Sequence, residues 1–326
     1  MHQKAVSARA LAFACLLGLS FAGGAAAQSY PVRPINLVVP FPAGGTTDVL
    51  ARALGQELAK SLGQPVVVEN KPGGGASIGT GFVARAKPDG YTLLLGTSAG
   101  HVVTPLMQKT VYDGVKGFAF CSVVAEQPIM LVVNPARGIH TVSELIARAK
   151  AEPGKLSYGS AGVGGATHLG AELFQHAAHV QLNHIPYAGA SPAINDVVGG
   201  QTDLAMLNLS ASLPFIRQGR LRALAYASDQ RSPLLPNVPT LAEAGVPGAD
   251  AATWYSLAAP AGTPDAIVQT LSDTVRAVNE DPDYRRVMQE QAIALMALSP
   301  RDAQAYVVKD QTDMRRLLGT LGLLAK

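Results

Sequence analysis

From residue 35 onward, short apolar runs alternate with longer stretches whose apolar residues recur every three or four positions. Ile35-Asn36-Leu37-Val38-Val39 reads as a buried strand. After a loop rich in Pro and Gly, Leu50, Leu54, Leu58 and Leu62 keep the i+4 spacing of one helix face. Residues 66–68 predict a second strand, 75–86 a helix and 91–95 a third strand. Residues 118–124 form another apolar, strand-like run. The pattern restarts after Gln127-Pro128 with a strand over residues 129–133, and Thr141-Val142-Ser143-Glu144 is a capping box that opens a helix. Further strands are expected over residues 156–159, 182–186, 204–208 and 221–227, with helices between them. Ser191-Pro192 places a cap residue ahead of a first-turn proline, and Thr240-Leu241-Ala242-Glu243 is a second capping box. From Trp254 the chain returns to a strand, Thr263-Pro264 begins a helix, and the tail to Leu324 is mostly helical. Strands separated by helices pair in parallel through right-handed crossovers. The order therefore predicts an α/β protein of two units, the second inserted in or following the first.

The first 27 residues stand apart from this alternation. Lys4 and Arg9 make a basic start, residues 11–21 are almost wholly apolar, and Gly23-Gly24-Ala25-Ala26-Ala27 supplies the small residues a signal peptidase accepts. Cleavage before Gln28 is expected, with export from the cytoplasm; the apolar core is shorter than the ~20 residues a bilayer span requires. Cys15 leaves with that segment, so Cys121 is the one cysteine of the mature chain and no internal disulfide is expected. Cys121 sits in an apolar run and reads as an inert buried thiol. Neither a cofactor nor a metal is expected, since His176 and His179 lack an Asp, Glu or Cys partner set at ligand spacing.

Composition agrees with a two-domain globular chain. Of 326 residues, 48% are hydrophobic and 15% charged, against about 25% charged in an average soluble protein. Losing Lys4 and Arg9 lowers the net charge from +3 to about +1. A nucleic-acid groove needs a basic stripe to neutralise phosphates, so nucleic acid is not expected as a partner.

Two loops join a strand end to a helix start and are rich in Gly and small hydroxyl residues: Pro40-Phe41-Pro42-Ala43-Gly44-Gly45-Thr46-Thr47-Asp48 and Gly159-Ser160-Ala161-Gly162-Val163-Gly164-Gly165-Ala166-Thr167-His168. Glycine lets the backbone approach a ligand, and a helix N-terminus offers unpaired N–H groups of positive dipole character. Neither loop is a nucleotide motif, because the first lacks a G-K-[ST] ending and the second has Thr167 where a third Gly belongs. Both lack lysine. A cradle of neutral donors suits a carboxylate better than a triphosphate. One competing pattern is Gly96-Thr97-Ser98-Ala99-Gly100, which matches the nucleophile elbow of a serine hydrolase. That mechanism requires a late His, and none follows His184.

Segments spread over nearly the whole mature length carry a resemblance. They include Pro40 through Gly45 with Asp48 and Arg52, Val68-Glu69-Asn70-Lys71-Pro72-Gly73, Pro88-Asp89-Gly90-Tyr91-Thr92-Leu93, and Gly159 through Gly162 with His168-Leu169. They continue with Pro186-Tyr187, Pro192-Ala193, Gly199-Gly200-Gln201-Thr202-Asp203, Val238 through Gly245 and Ala259 through Pro264. In this order they resemble the Bug family, the periplasmic solute-binding proteins of tripartite tricarboxylate transporters. The chain departs from that pattern at Lys116-Gly117-Phe118-Ala119-Phe120-Cys121, at Ala188 and at Gln291-Ala292-Ile293.

The resemblance implies a two-lobed, type II-like Venus-flytrap fold closing on a ligand carboxylate, with the first loop on one lobe and the second on the other. It also implies a monomeric protein that is not an enzyme, works in the periplasm and hands its ligand to the membrane components of a tripartite transporter. The expected lobes are residues 28–129 with 253–326, and residues 130–252. The candidate ligand contacts in the first loop are Phe41, Ala43, Gly44, Gly45, Thr46, Thr47 and Asp48. Those in the second are Ser160, Ala161, Gly162, Val163, Gly164, Gly165, Thr167 and His168. Ser98, Tyr187 and Asn208 join them from strand ends. Asp48 and His168 have an alternative role as loop-ordering residues. The ligand is expected among dicarboxylates, tricarboxylates, acidic amino acids and aromatic acids. A secreted hydrolase using Ser98, and a sensor docking on a receptor kinase, remain as alternatives.

Overall fold

The computed structural model describes residues 30–325. The expected signal segment, residues 1–27, lies outside the described residues. The first strand, β1 (Ile35–Val39), feeds α1 (Thr46–Leu62), whose Leu50, Leu54 and Leu58 are buried as their spacing requires. Gly63 stops this helix in the left-handed conformation and returns its N–H to the Ala59 carbonyl. Then come β2 (Val66–Asn70), α2 (Ser77–Ala84), β3 (Thr92–Thr97) and the short α3 (Thr104–Met107). The α2 helix is shorter than expected, because Gly73, Gly74, Gly75 and Ala76 all have positive φ and cannot begin a right-handed helix.

A long strand, β4 (Phe118–Val133), leads to α4 (Val142–Ala151), β5 (Ser157–Ser160), α5 (Ala166–Ala178), β6 (Asn183–Pro186) and α6 (Ala190–Val198). The chain continues through β7 (Leu204–Asn208), α7 (Leu209–Arg217), β8 (Arg222–Ala227) and β9 (Ala252–Pro260). It ends with α8 (Asp265–Val278), α9 (Pro282–Glu290), β10 (Ala294–Leu295) and α10 (Pro300–Thr320).

Among the described residues the strands form a ten-stranded sheet in the order β2-β1-β3-β9-β4-β7-β5-β6, with β8 and β10 also paired to β4. The expected parallel pairing holds for β1 with β2 and β3, and for β5 with β6 and β7. The centre is different: β9 runs antiparallel to both β3 and β4, and β7 and β8 run antiparallel to β4. The sheet is therefore mixed.

The expected break at Pro128 does not occur. Residues 118–133 are one strand that changes partner: Phe118 through Pro128 face β9, and Ile129 through Val133 face β7 and β8. Proline lacks an N–H to give to a ladder, and here it stands at the changeover. Two other local expectations also give way. Ser191 lies inside α6 rather than capping it, because Gly189 is the N-cap, and the Thr240–Glu243 box forms its reciprocal bonds around a turn and opens no helix.

The core follows β4. Leu94, Phe118 and Val123 belong to the same buried cluster as Ile129, Tyr158 and Phe174, so apolar packing continues past the change of partner. Each such side chain contributes about 1.5–3 kcal/mol when fully buried. No helix among the described residues is long and apolar enough to cross a membrane.

Candidate functional site

Helix starts define the site. In α1 the first backbone N–H to bond within the helix is that of Val49, to the Gly45 carbonyl at 3.0 Å; in α5 it is that of Leu169, to Gly165 at 3.0 Å. The N–H groups of Thr46, Thr47 and Asp48, and those of Ala166, Thr167 and His168, precede these bonds and have no partner on their own helix. Both helices have a glycine N-cap, Gly45 and Gly165, and neither receives a side-chain cap. Gly45, Thr46 and Thr47 line the same cavity as Gly165, Ala166 and Thr167.

Two more helices reach that cavity by their starts. Ala190 opens α6 and Asn208 is the N-cap of α7; both line the cavity, and neither helix receives a side-chain cap. The rest of the lining comes from Phe41 and Pro42, from Thr97 and Ala99, and from Ala161 and Thr253. Each helix start carries about half a positive charge. The lining itself holds no ionisable side chain. The space is about 40 Å³, small beside the ~300–1,000 Å³ of ordinary ligand pockets, so the walls stand close together.

The two loops hold their own shape. Asp48 accepts hydrogen bonds from the Gly44 N–H, from Arg52 and from Asn70, all within 2.9–3.0 Å. Burial alone would raise its pKa, but these bonds and the Arg52 charge hold it below the usual carboxylate range. In the second loop the Ala161 N–H donates to the Thr167 hydroxyl at 2.9 Å and the Gly162 N–H to the Ser160 hydroxyl at 3.2 Å. The Gly164 N–H reaches His168 Nδ1 at 3.4 Å, and the Gly165 N–H goes to the Gly162 carbonyl at 3.1 Å. Most of this loop's own donors are therefore engaged inside it, which leaves the α5 start as its source of free N–H groups.

Behind the second loop, three rings stack. The Tyr158 and His184 centroids are 4.6 Å apart and those of His184 and His168 are 4.3 Å apart. His184 Nε2 meets the Ser160 hydroxyl at 2.7 Å. Burial pushes the pKa of His168 and His184 down to about 4.

Of the candidate contacts, Phe41, Gly45, Thr46, Thr47, Ala161, Gly165, Thr167 and Asn208 share the cavity wall. Ala43, Gly44, Asp48, Ser160, Gly162, Val163, Gly164 and His168 belong to the loops behind or beside it. Tyr187 lies against Gly159 and donates its hydroxyl to Asp196 at 2.6 Å. Ala166, inside the second loop, also lines the cavity, as do Pro42, Thr97, Ala99, Ala190 and Thr253, which are not candidate contacts in the sequence. Ala166 follows the glycines of the second loop and Ala190 follows Gly189, so a search for glycine-capped helix starts would have found both. Nothing local marks Thr253.

The hydrolase alternative has no geometric support. The Ser98 hydroxyl is buried without a hydrogen-bond partner, and Ser98 is not part of the cavity wall. The neighbouring His101 is fully buried, with Nδ1 2.7 Å from the Gly114 carbonyl and Nε2 3.0 Å from the Ser256 hydroxyl. Burial lowers its pKa to about 4. Cys121 is buried as well, its thiol pushed up to about 12. No group of His, Cys, Asp and Glu suited to a metal ion occurs among the described residues.

Residues 50–323 match the family described as the tripartite tricarboxylate transporter family receptor, TctC. Protein BugT of Bordetella pertussis is 41% identical over 276 residues, which cover 84% of this chain and 83% of BugT. The periplasmic binding protein BugD superposes with a TM-score of 0.87 at 34% identity, covering 91% of this chain and 100% of that one. R. palustris Rpa4515, solved with adipate, superposes with a TM-score of 0.87 at 36% identity, covering 90% of this chain and 98% of that one. With likeness of this extent in both sequence and fold, the chain belongs to the tripartite tricarboxylate transporter receptor family and is a two-lobed solute-binding protein, not an enzyme.

Proposed function

We propose that this protein captures a small carboxylate in the periplasm, after removal of residues 1–27, and presents it to the membrane components of a tripartite transporter. The observation that carries the reading is the convergence of the α1 and α5 N-termini, both without a side-chain cap, on one cavity. Unpaired N–H groups and aligned dipoles at that point form an acceptor-seeking surface with net positive character. The adipate held by Rpa4515 supports a carboxylate as the occupant.

On this reading, residues 28–129 and 253–326 make one lobe and residues 130–252 the other. The change of partner along β4 after Pro128 and the start of β9 at Ala252 support that division. The first loop then closes on the second, and one ligand carboxylate sits between the α1 and α5 starts.

A thermal-shift screen of residues 28–326, refolded from denaturant to remove carried-over ligand, tests the proposal. A ligand at a hundredfold excess over its dissociation constant adds about 2.7 kcal/mol, a rise of at least about 2 °C. Hits are expected among carboxylates, and amidating the clamped carboxylate should abolish the shift. A refolded sample that responds to sugars or metal ions and to no carboxylate would overturn the reading.

A further inference from the structure

We infer that the chain carries a second small-molecule site, separate from the cavity between the α1 and α5 starts: a pocket beside Pro128 that takes an organic anion with an apolar body. It stands independently of the function proposed above.

The pocket has a volume of about 620 Å³, inside the ~300–1,000 Å³ range of ordinary ligand pockets. Three parts of the chain build it. Pro128 stands where β4 changes partner, and Ser232 and Pro233 follow β8. The remaining wall runs from Asn279, at the end of α8, through α9 and β10 to Ala297. None of these residues lines the first cavity. On the division into lobes proposed above, Ser232 and Pro233 belong to one lobe and the α9–β10 wall to the other, so an occupant touches both.

The charge of the ligand follows from α9. Arg285 and Arg286 are neighbours in sequence and take different faces of that helix. Arg286 is matched by Asp283 at 3.1 Å and Glu290 at 3.3 Å, and Asp281 accepts from the Tyr284 N–H at the helix start. Arg285 lines the pocket and has no ion pair or side-chain hydrogen bond among the described residues. The same holds for Gln289, one turn further along the same face. Neither Asp nor Glu lines the pocket. The Ser232 hydroxyl accepts from the Leu234 N–H at 3.3 Å and keeps its own proton to donate. A guanidinium without an acid, an amide and a hydroxyl form a donor set for a carboxylate or sulfonate.

The body of the ligand meets a different surface. Ile293, Leu295 and Met296, in and around β10, join Pro128 and Pro233 as an apolar wall. Asn279 braces that wall by donating from Nδ2 to the Met296 carbonyl at 2.6 Å. Ala292 adds a methyl group at φ +53°, where α9 stops with the Ala292 N–H on the Gln289 carbonyl and the Ile293 N–H on the Met288 carbonyl. Glycine would hold such a stop without strain, yet the chain keeps a side chain there, on the wall of the pocket. Charged and polar groups come from α9 and apolar ones from β10, so the ligand that fits is amphiphilic.

Anilinonaphthalene sulfonate, an aromatic anion that brightens on leaving water, is the probe. Its titration into the folded protein should saturate at one dye per chain. Arg285→Glu removes the charge and Ala297→Trp fills the pocket; both positions are exposed, so neither change disturbs the core. Each should weaken dye binding at least roughly tenfold, whereas Ala161→Asp, in the first cavity, should leave it unchanged. Octanoate should displace the dye, and octanamide, the same body without the charge, should need at least roughly tenfold more. Dye binding that is absent, or that neither pocket variant weakens, would overturn the site. Loss of binding in Ala161→Asp alone would place the dye in the first cavity, with the same result. Equal displacement by octanamide would overturn the assignment of an anion.

Discussion

Thr46 Oγ1 and Ser210 Oγ are 2.6 Å apart and buried, although 164 positions separate them in sequence. Thr46 is the first residue of α1 and Ser210 stands in the first turn of α7, so the bond ties the first loop to the segment that carries Asn208. Ser210 also donates to Gln127 Oε1 at 3.2 Å, and Gln127 Nε2 donates to the Gln291 carbonyl at 2.8 Å. A line of hydrogen bonds thus runs from the cavity wall to β4 and on to the end of α9. Ser210→Ala should weaken ligand binding by about 1 kcal/mol, roughly fivefold. Calorimetry on the variant decides it, and an unchanged dissociation constant would remove this bond from any account of closure.

Negative charge on the cavity wall should be far more damaging. Ala161 lines the same cavity as Gly45, Thr46 and Thr47 at the α1 start. Ala161→Asp brings a carboxylate to where the ligand's own belongs. At 4 Å and an effective dielectric near 20 the repulsion is about 4 kcal/mol, close to a thousandfold in affinity. Binding within tenfold of wild type would show that the second loop does not touch the ligand.

Closure should also fail when its tightest backbone approach is blocked. Gly75 has φ +62°, and a Cβ there would run into the Val163 carbonyl and lie 2.9 Å from the Thr104 hydroxyl. Gly75→Ala therefore combines left-handed strain of roughly 1–2 kcal/mol with an obstacle between the segment that precedes α2 and the second loop. Gly154→Ala is the matched control: its φ is +73° and nothing lies within 4 Å of the added carbon. Both variants should melt at a lower temperature, and only Gly75→Ala should lose more than tenfold in affinity. Equal affinities would indicate that the segment ahead of α2 does not need to meet the second loop.

Acid should loosen the second loop through His168. Its neighbours are the Gly164 N–H at Nδ1, the His184 ring stacked at 4.3 Å and Glu172 Oε1 at 3.6 Å from Nε2. Burial holds its folded pKa near 4, against 6.5 when exposed. Above pH 6.5 both states are neutral and the full contribution is present. As pH falls the unfolded chain protonates first, so stability is lost between about 6.5 and 4 and then levels off. Glu126 and Asp310, raised by burial, titrate in the opposite sense, so the comparison belongs between wild type and a variant. His168→Asn keeps an acceptor for Gly164 without a titrating group. Urea midpoints from pH 7 to 4 should fall less steeply for it, by up to about 1.4 kcal/mol per pH unit. Parallel curves would mean that His168 titrates over the same pH range folded and unfolded.

How far these features could be read in advance depends on their range along the chain. The Leu50, Leu54, Leu58 face and the strand over residues 204–208 are periodic, and periodicity is local, so both appear in the structure where expected. The two glycine-rich loops were legible for the same reason, since a strand end, small residues and a helix start follow one another directly. What the pattern could not carry was partnership. Pro128 looks like a stop because a proline ends most ladders, yet here it marks a change of neighbour that only the fold decides. Thr97, Asn208 and Thr253 come from β3, β7 and β9 and meet at one wall, and no spacing along the chain records that they do.

The continuity of β4 has a mechanical meaning. A connection made of loop turns like a door hinge, with little resistance and no preferred angle. A strand paired along residues 118–133 flexes like a leaf spring: it yields by bending at its irregular points, Phe120/Ser122, Val123/Ala125 and Leu131/Val132, and it recoils. An opening motion about such an element stores elastic energy as it widens. If the two lobes proposed above part, they do so by bending this strand, and the opening is expected to be narrower than one made about loops alone.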